Sequence, residues 1–353
     1  MGIVSKILLF PFTILYGLAV GLRNLLYDLE LLKSVKYNLP VISVGNLTVG
    51  GAGKTPHVEY LVELLKDYLN LATLSRGYKR KTKGFKFIQT QDSVLVSGDE
   101  PLQYKKKYPE MVVAVSESRA LGIPQIVKNY PGTNVVLLDD AFQHRSIEPG
   151  LNILLTDYSN LYVDDLLLPA GRLREWRSAA SRADVIIVSK CPFDANQIDK
   201  EGIIRRINPN ADQKVFFSYY QYGHPYYMYN PNYKIDLREI DSIVLVSAIA
   251  KLDYLMEYLD ERVETVSNFK FEDHHIYTEH EVSLINQAHE MNADQKKLIL
   301  STEKDATRLD LHRKYLLDKK LPVYILPVKV AFHYQEGRTF DDYIKDFLLK
   351  FKI

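Results

Sequence analysis

The sequence predicts an α/β protein in which helices cover both faces of a parallel β-sheet, followed by a second, smaller α/β unit. Two observations support this prediction. Over roughly the first 200 residues, short runs of Val, Ile and Leu alternate with segments of helical periodicity, and such runs are typical of strands buried on both faces. The same alternation begins again after a stretch rich in Tyr, Asn and Pro. We therefore expect two layered units joined by a strand-like linker.

The strands of the first unit follow one another at short intervals. The first, "LPVISVGN", leads into the helix "TPHVEYLVELLKDYL", whose first turn tolerates Pro56. Further strands are predicted at "LATLSRGY", "MVVAVS", "TNVVLLDDA", "LNILLTD" and "ADVIIVSK". Each run has the length of a typical strand and is apolar enough to lie inside a buried sheet.

The second unit repeats this pattern on a smaller scale. Its predicted strands are "DSIVLVSAIA", "VETVSNFKF" and "KKLILSTEKDA", and its predicted helices are "KLDYLMEYLDE" and "TEHEVSLINQAHEM". A last strand, "LPVYILPVKVAF", and an amphipathic helix, "FDDYIKDFLLKFK", follow. The pattern leaves open which of the two units the terminal helix packs against.

Composition excludes several classes of protein. The 353 residues include 45 Lys and Arg against 44 Asp and Glu, so the net charge of +1 gives no reason to expect nucleic acid as a partner. The single cysteine, Cys191, excludes an intramolecular disulfide and a zinc site built on several thiolates, and it fits a reducing compartment. No obligate protein partner is indicated.

The amino terminus departs from this ordinary composition. Ile7–Leu22, "ILLFPFTILYGLAVGL", carries no charge and lies between Lys6 and Arg23. A spanning helix needs about 20 apolar residues, and Pro11 and Gly17 are expected to interrupt this run. Two interpretations remain open, namely a segment lying in the surface of a bilayer and a helix buried in the protein core.

A glycine-rich segment directly after the first strand has the features of a phosphate-binding loop. It comprises Thr48, Val49, Gly50, Gly51, Ala52, Gly53, Lys54 and Thr55. In such a loop backbone N–H groups surround phosphate oxygens, the lysine reaches the β- and γ-phosphates, and the hydroxyl binds Mg²⁺. Lys54 and Thr55 fit these roles, although Thr48 stands where the pattern has its first glycine. The predicted fold class is therefore a P-loop NTPase-like parallel sheet with a site for nucleotide phosphates and Mg²⁺.

Two adjacent acids provide the carboxylates that magnesium also needs. Asp139 and Asp140 end the apolar strand "VVLLDD", as does the metal-binding acid of P-loop hydrolases and kinases. A GTPase is not indicated, because Phe142 occupies the glycine position of the D-x-x-G motif. The base-reading N-K-x-D motif is also absent, with Phe193 following "SKCP".

With these motifs, the sequence resembles the tetraacyldisaccharide 4'-kinase family of lipid A biosynthesis. The resemblance covers nearly the whole chain and includes Thr48, which belongs to this family's form of the loop. The segments that carry it are "VGNLTVGGAGKTP", "LSRGYKR", "SGDEP", "LLDDAFQHR", "LLPAGRLRE", "DHH" and "STEKDATRL".

The resemblance implies roles for further residues. Asp99 in "GDEP" would help to remove the proton from the sugar 4'-hydroxyl, and His274 in "EDHH" would be its partner. Glu175 would join the metal ligands, while Arg76 and Arg119 would face phosphates.

Local sequence alone leaves two of these assignments open. Asp99 precedes Glu100 and Pro101, so it also suits the N-cap of a helix. His275 follows His274 directly, and His274 is the predicted partner because it is the residue next to the aspartate.

The activity implied by the resemblance is transfer of the γ-phosphate of ATP to the 4'-hydroxyl of a tetraacyldisaccharide 1-phosphate, a lipid A precursor. Such an enzyme would work at the cytoplasmic face of the bacterial inner membrane, on its inner leaflet, as a peripheral or monotopic protein. The main alternative is a membrane-associated P-loop ATPase without a hydroxyl acceptor, and another is a soluble kinase for a small polar metabolite. The Asp99–His274 pair favours a kinase, because an ATPase has no acceptor proton to remove.

These assignments predict five segments along the chain. They are 1–30, an amphipathic membrane-associating segment; 31–215, the P-loop kinase domain; 216–238, the linker; 239–320, the smaller α/β domain; and 321–353, a return strand and terminal helix. Because Asp99 and His274 fall in different domains, we expect the site to be complete only when the domains approach.

Overall fold

The computed structural model of the protein describes residues 3–351. Its strands are β1 (Val41–Asn46), β2 (Leu71–Ser75), β3 (Lys86–Phe87), β4 (Val112–Val115), β5 (Val135–Asp139), β6 (Leu151–Asp157), β7 (Val185–Ser189), β8 (Lys214–Tyr222), β9 (Tyr226–Tyr227), β10 (Asn230–Lys234), β11 (Ser242–Ser247), β12 (Thr265–Lys270), β13 (Lys297–Thr302), β14 (Val323–Leu326) and β15 (Val328–Phe332). Its helices are α1 (Ile3–Asp28), α2 (Lys54–Leu65), α3 (Val94–Ser97), α4 (Asp99–Lys107), α5 (Arg119–Asn129), α6 (Lys200–Ile207), α7 (Asp253–Asp260), α8 (Glu279–Met291), α9 (Glu303–Leu309), α10 (Arg313–Asp318) and α11 (Glu336–Lys350).

The strands form two sheets, and the predicted fold class is confirmed. The larger sheet has nine strands in the order β15-β8-β7-β6-β1-β5-β2-β4-β3, and the smaller has six in the order β10-β9-β14-β13-β11-β12. From β8 to β4 the larger sheet is parallel, and its edge strands β15 and β3 are antiparallel. Connections between parallel strands require crossovers, and helices supply most of them.

Helices cover both faces of the larger sheet, which explains its apolar strands. In β5, Val135 and Leu137 join a core cluster that includes residues of α2, α4 and α11. Val136 and Leu138 belong to a cluster on the other face, which includes residues of α5. Because side chains alternate between faces, a strand covered on both sides must be apolar at every position.

The residues at which the chain leaves one sheet and enters the other differ from the predicted domain bounds. The predicted linker, 216–238, begins inside β8, which is a full strand of the larger sheet. The predicted last strand is two strands: β14 lies in the smaller sheet and β15 in the larger sheet, with Pro327 between them. Proline cannot donate to a strand ladder, so the pairing ends there and the chain changes sheets.

The terminal helix α11 packs on the larger domain. Phe340 is buried against Tyr60 of α2 and Phe216 of β8. Tyr60 also donates a hydrogen bond of 2.8 Å to Asp341. The helix α11 is thus part of the larger domain.

The amino-terminal apolar run belongs to one continuous helix, α1, of 26 residues. Pro11 and Gly17 lie inside it, so the expected interruption does not occur. By length and composition Lys6–Asp28 is long and apolar enough to cross a membrane, whereas the uncharged run Ile7–Leu22 alone is shorter than a spanning helix needs. Only 11% of the apolar window is buried, which contradicts the interpretation as a core helix.

One narrow stripe of α1 holds it against the larger domain. The indole N–H of Trp176 donates to the Gly17 carbonyl at 2.8 Å, and the Tyr16 hydroxyl donates to the Arg174 carbonyl at 2.9 Å. A Cβ atom at Gly17 would lie 2.5 Å from the Trp176 ring, so glycine permits this close approach. The opposite face of the helix stays exposed.

Candidate active site

A cleft of about 830 Å³ lies between the two domains, at the carboxyl ends of the central parallel strands of the larger sheet. In open α/β sheets, ligands bind at this edge. The predicted residues on its wall include Thr48, Val49, Gly50, Gly51, Ala52, Gly53, Lys54, Thr55, Arg76, Arg119, Asp139, Asp140, Glu175 and His274. Residues separated by more than 200 positions in the sequence therefore share one site.

The phosphate-binding loop connects β1 to α2 and has the backbone that its glycines allow. Its positive φ angles fall on Gly50 (105°) and Gly53 (85°). Thr48 instead forms an antiparallel backbone bridge with Leu173, and extended pairing of this kind requires no glycine. This pairing accounts for the threonine at 48.

Side chains from neighbouring strands fix the loop. Ser189 donates to the Ala52 carbonyl at 2.8 Å, and Lys190 donates to the Gly51 carbonyl at 2.6 Å. Lys54 donates to Oδ1 of Asn46 at 3.1 Å, and its Nζ lies 3.7 Å from Oδ1 of Asp140.

The two acids differ sharply in their electrostatics. Burial raises the pKa of Asp139 to about 7, and the carboxylates of Glu100 and Asp140 add to this effect. Burial would also raise the pKa of Asp140, but the cations of Lys54 and Arg174 outweigh it and hold this pKa well below its usual range.

Asp139 retains binding capacity for a cation. Its Oδ2 accepts a hydrogen bond of 2.9 Å from the Tyr104 hydroxyl, and its buried Oδ1 has no hydrogen-bond partner among the described residues. A buried carboxylate oxygen of this kind, beside Asp140 and near the start of α2, suits a hard divalent cation. The residues present therefore fit magnesium.

The structure gives Glu175 other partners than the expected metal. One carboxylate oxygen accepts a hydrogen bond of 2.6 Å from Arg182, and the other lies 3.7 Å from Arg23 of α1. The metal role of Glu175 stays a prediction. Arg76 is exposed at the cleft, whereas Arg119 is buried, and burial lowers the pKa of Arg119 to about 10.

Asp99 and His274 meet across the domain boundary. His274 Nδ1 lies 2.7 Å from Oδ2 of Asp99, which also accepts a hydrogen bond of 3.1 Å from Arg308. Gly98 is the N-cap of α4, so the interpretation of Asp99 as the cap is wrong. Burial alone would raise the pKa of Asp99, but His274, Lys304 and Arg308 outweigh it and keep the pKa well below its usual range.

The structure also distinguishes the two adjacent histidines. His274 has a positive φ of 61° and packs edge-on against Tyr78, with ring centroids 4.8 Å apart. His275 points elsewhere, and its Nε2 lies 2.9 Å from Glu281 in the first turn of α8. His274 is the histidine that reaches Asp99.

Sequence reasoning assigned no role to several residues that shape this site. Asn46 accepts a hydrogen bond from Lys54. Arg174 donates to Asp140, and Tyr104 donates to Asp139. Lys304 and Arg308 stand in "STEKDATRL", a segment that carried the family resemblance without a role for either. The sequence predicted no ion-pair partner for either cation, because the carboxylates of Asp99 and Glu100 that they contact lie in the other domain.

Comparisons with known proteins identify a family that matches nearly the whole chain. The tetraacyldisaccharide-1-P 4'-kinase family (LpxK) matches residues 5–348. A tetraacyldisaccharide 4'-kinase from Phocaeicola vulgatus is 42% identical over 349 residues, covering 97% of this chain and 95% of the relative. The corresponding protein from Flavobacterium johnsoniae is 42% identical over 336 residues, covering 94% of each chain.

A solved structure extends the comparison to the fold. A crystal structure of LpxK from Aquifex aeolicus in complex with ATP superposes with a TM-score of 0.74 and 29% identity. The match covers 98% of this chain and 99% of that one. With a family match over almost its whole length, and relatives of this identity, the chain belongs to the tetraacyldisaccharide 4'-kinase family.

Proposed function

We propose that this protein transfers the γ-phosphate of ATP to the 4'-hydroxyl of a tetraacyldisaccharide 1-phosphate, the lipid A precursor. The observation that carries the proposal is one cleft lined by both the phosphate-binding loop and His274, whose Nδ1 lies 2.7 Å from the buried Asp99. The relatives are named tetraacyldisaccharide 4'-kinases, and the Aquifex aeolicus structure was determined in complex with ATP.

In this proposal the loop and the adjacent acids bind the nucleotide with its metal. Backbone N–H groups of Thr48–Thr55 surround the phosphates, and Lys54 reaches the β- and γ-phosphates. Thr55, Asp139 and Asp140 would hold Mg²⁺, which when bound neutralises charge on the phosphates.

The Asp–His pair removes the proton of the acceptor. As the hydroxyl oxygen bonds to the γ-phosphorus, the bond from that phosphorus to the bridging oxygen of ADP breaks, and the hydroxyl proton must leave. His274 lies on the wall of the cleft, whereas Asp99 is buried behind it with 2% of its surface exposed. We assign proton acceptance to Nε2 of His274, with Asp99 orienting the ring through Nδ1.

The first test asks whether turnover needs the lipid hydroxyl. We expect ADP release only when tetraacyldisaccharide 1-phosphate is present in mixed micelles, with phosphate appearing on the 4'-oxygen. The matched control is the same lipid without its 4'-hydroxyl, which should give neither product nor added ADP. ADP release at the same rate without lipid would instead support the alternative, an ATPase without a hydroxyl acceptor.

The acyl chains of the acceptor stay in a bilayer, so the enzyme must reach the membrane surface. Exposed apolar side chains of α1 offer such a contact, including Leu8, Phe12 and Leu15, each more than 60% exposed. Lys6 and Arg23 flank the apolar stretch, as in segments that bind anionic lipid headgroups. We place the protein at the cytoplasmic face of the inner membrane, since its substrate ATP is cytoplasmic.

Polar substitution of this exposed face tests the membrane assignment. Leu8→Ser, Phe12→Ser and Leu15→Ser together should move the protein to the soluble fraction, because burial of each apolar chain contributes about 1.5 kcal/mol or more. The affinity for vesicles should fall on the order of 10³-fold, and KM for the lipid should rise while ATP binding is unchanged.

A matched control separates this effect from general surface polarity. Tyr68→Ser and Met291→Ser remove apolar side chains that are at least as exposed but lie outside α1. These variants should sediment with vesicles as the unmodified protein does. Full vesicle binding by the triple α1 variant would show that the membrane contact lies elsewhere.

A further inference from the structure

The ammonium group of Lys304 lies next to His274 and to two carboxylates beside the Asp99–His274 pair. Lys304 lies in the first turn of α9, and its Nζ is 3.1 Å from Oε1 of Glu100, 3.2 Å from Nε2 of His274 and 3.3 Å from Oδ1 of Asp273. An ammonium has three N–H donors and no acceptor. The three donors and these three partners match in number.

This contact fixes which nitrogen of His274 carries a proton. Because the ammonium can only donate, Nε2 must be the unprotonated, accepting nitrogen. The proton of the neutral ring is then on Nδ1, which donates to Oδ2 of Asp99 at 2.7 Å. Nε2 is the nitrogen to which the proposed function assigns proton acceptance.

Without Lys304 the same surroundings would favour a proton on Nε2. This nitrogen lies 3.6 Å from Oδ2 of Asp273 and 3.9 Å from Oε1 of Glu100. Nearby carboxylates stabilise a protonated ring. The groups facing the His274 ring are Asp99 and Glu100 of α4, Asp273 of its own loop, Lys304 of α9 and Tyr78 of the loop after β2. Arg308 of α9 donates to Asp99, and Lys79 donates to the backbone carbonyl of His274.

We infer that Lys304 is a positioning residue whose ammonium offsets Glu100 and Asp273 and so keeps Nε2 of His274 free to accept the acceptor's proton. The inference rests on the proposed function, in which His274 takes that proton. The acceptor hydroxyl would replace the ammonium as the donor to Nε2. Burial would lower the pKa of Lys304, but Glu100, Asp99 and Asp273 outweigh it and raise this pKa, so the ammonium persists at working pH.

Lys304→Met tests this role through the pH profile of turnover. The variant keeps most of the side-chain volume and loses the charge, so the acid limb of kcat should move to higher pH by about one unit or more. Activity should recover at alkaline pH, and KM for ATP should not change. Lys304→Arg should restore much of the activity near neutral pH, and Asp273→Asn added to Lys304→Met should move the limb back.

A neighbouring lysine provides the matched control. Lys106 of α4 pairs at 2.6 Å with Asp310, the residue directly after α9, and within the described part of the chain it forms no hydrogen bond or ion pair with His274. Lys106→Met should leave the acid limb in place. An equal displacement in both lysine variants would mean that the effect is structural, and an unchanged limb in Lys304→Met would overturn the inference.

Two measurements separate this inference from the proposed function. If His274→Ala retains turnover, the assigned base is wrong; if it loses turnover while Lys304→Met keeps its limb, only the role of Lys304 fails. If Lys304→Met does not fold, ¹⁵N NMR of the unmodified protein with labelled histidine tests the inference instead, because it reports which ring nitrogen carries the proton. We expect the single proton of the neutral His274 ring on Nδ1, and a neutral ring protonated on Nε2 would overturn the inference.

Discussion

Lys54→Ala is expected to abolish phosphoryl transfer. Its ammonium is the cation of the phosphate-binding loop, held 3.1 Å from Asn46 and 3.7 Å from Asp140. The charge of Lys54 lowers the pKa of both Asp139 and Asp140, so its loss also favours protonation of Asp139, whose pKa is already about 7. Two defects then combine, because the phosphates lose a cation and the magnesium site loses carboxylate charge.

The measurement is single-turnover transfer at saturating ATP and lipid. More than about a tenth of the unmodified rate, corresponding to a barrier change under about 1.4 kcal/mol, would contradict the assigned role. Lys66→Ala, directly after α2, is the matched control and should transfer normally. Lys54→Arg retains the charge, so any activity it keeps separates the electrostatic effect from the exact placement of the ammonium.

Asp99→Ala and His274→Ala should each reduce turnover by about 10²–10⁴, the usual contribution of a positioned general base. The two side chains share one hydrogen bond of 2.7 Å, so each needs the other. The double variant should therefore lose much less than the product of the two single losses. Affinity for ATP should change little, because neither residue belongs to the phosphate-binding loop.

His275→Ala is the control for this pair. The residue is adjacent in sequence but contacts Glu281, and we expect near-normal turnover. Losses that multiply, with ATP affinity falling in each variant, would show that Asp99 and His274 only support packing. The pH profile is an independent check. Activity should fall on the acid side as the pair gains a proton, and an acid limb that persists unchanged in His274→Ala would exclude this histidine as the base.

Local sequence determined the parts of this protein whose physics is local. Buried parallel strands must be apolar on both faces, and β5 therefore reads as an unbroken run that ends in Asp139. A strand, a glycine-rich turn and a helix start form the phosphate-binding loop from consecutive residues, so the pattern predicts its position from sequence alone. The family resemblance added Asp99 and His274, which no local pattern distinguishes from a cap and a surface histidine.

The tertiary structure decided which residues meet across the two domains. Lys304 and Arg308 gained a role only through contacts with Asp99 and Glu100, about 200 residues earlier in the chain. The tertiary structure likewise shows that α1 continues through Pro11 and that the chain changes sheet at Pro327. Periodicity reports burial along one element, whereas these features depend on how separate elements dock, and the free energy of that docking comes from contacts distant in sequence.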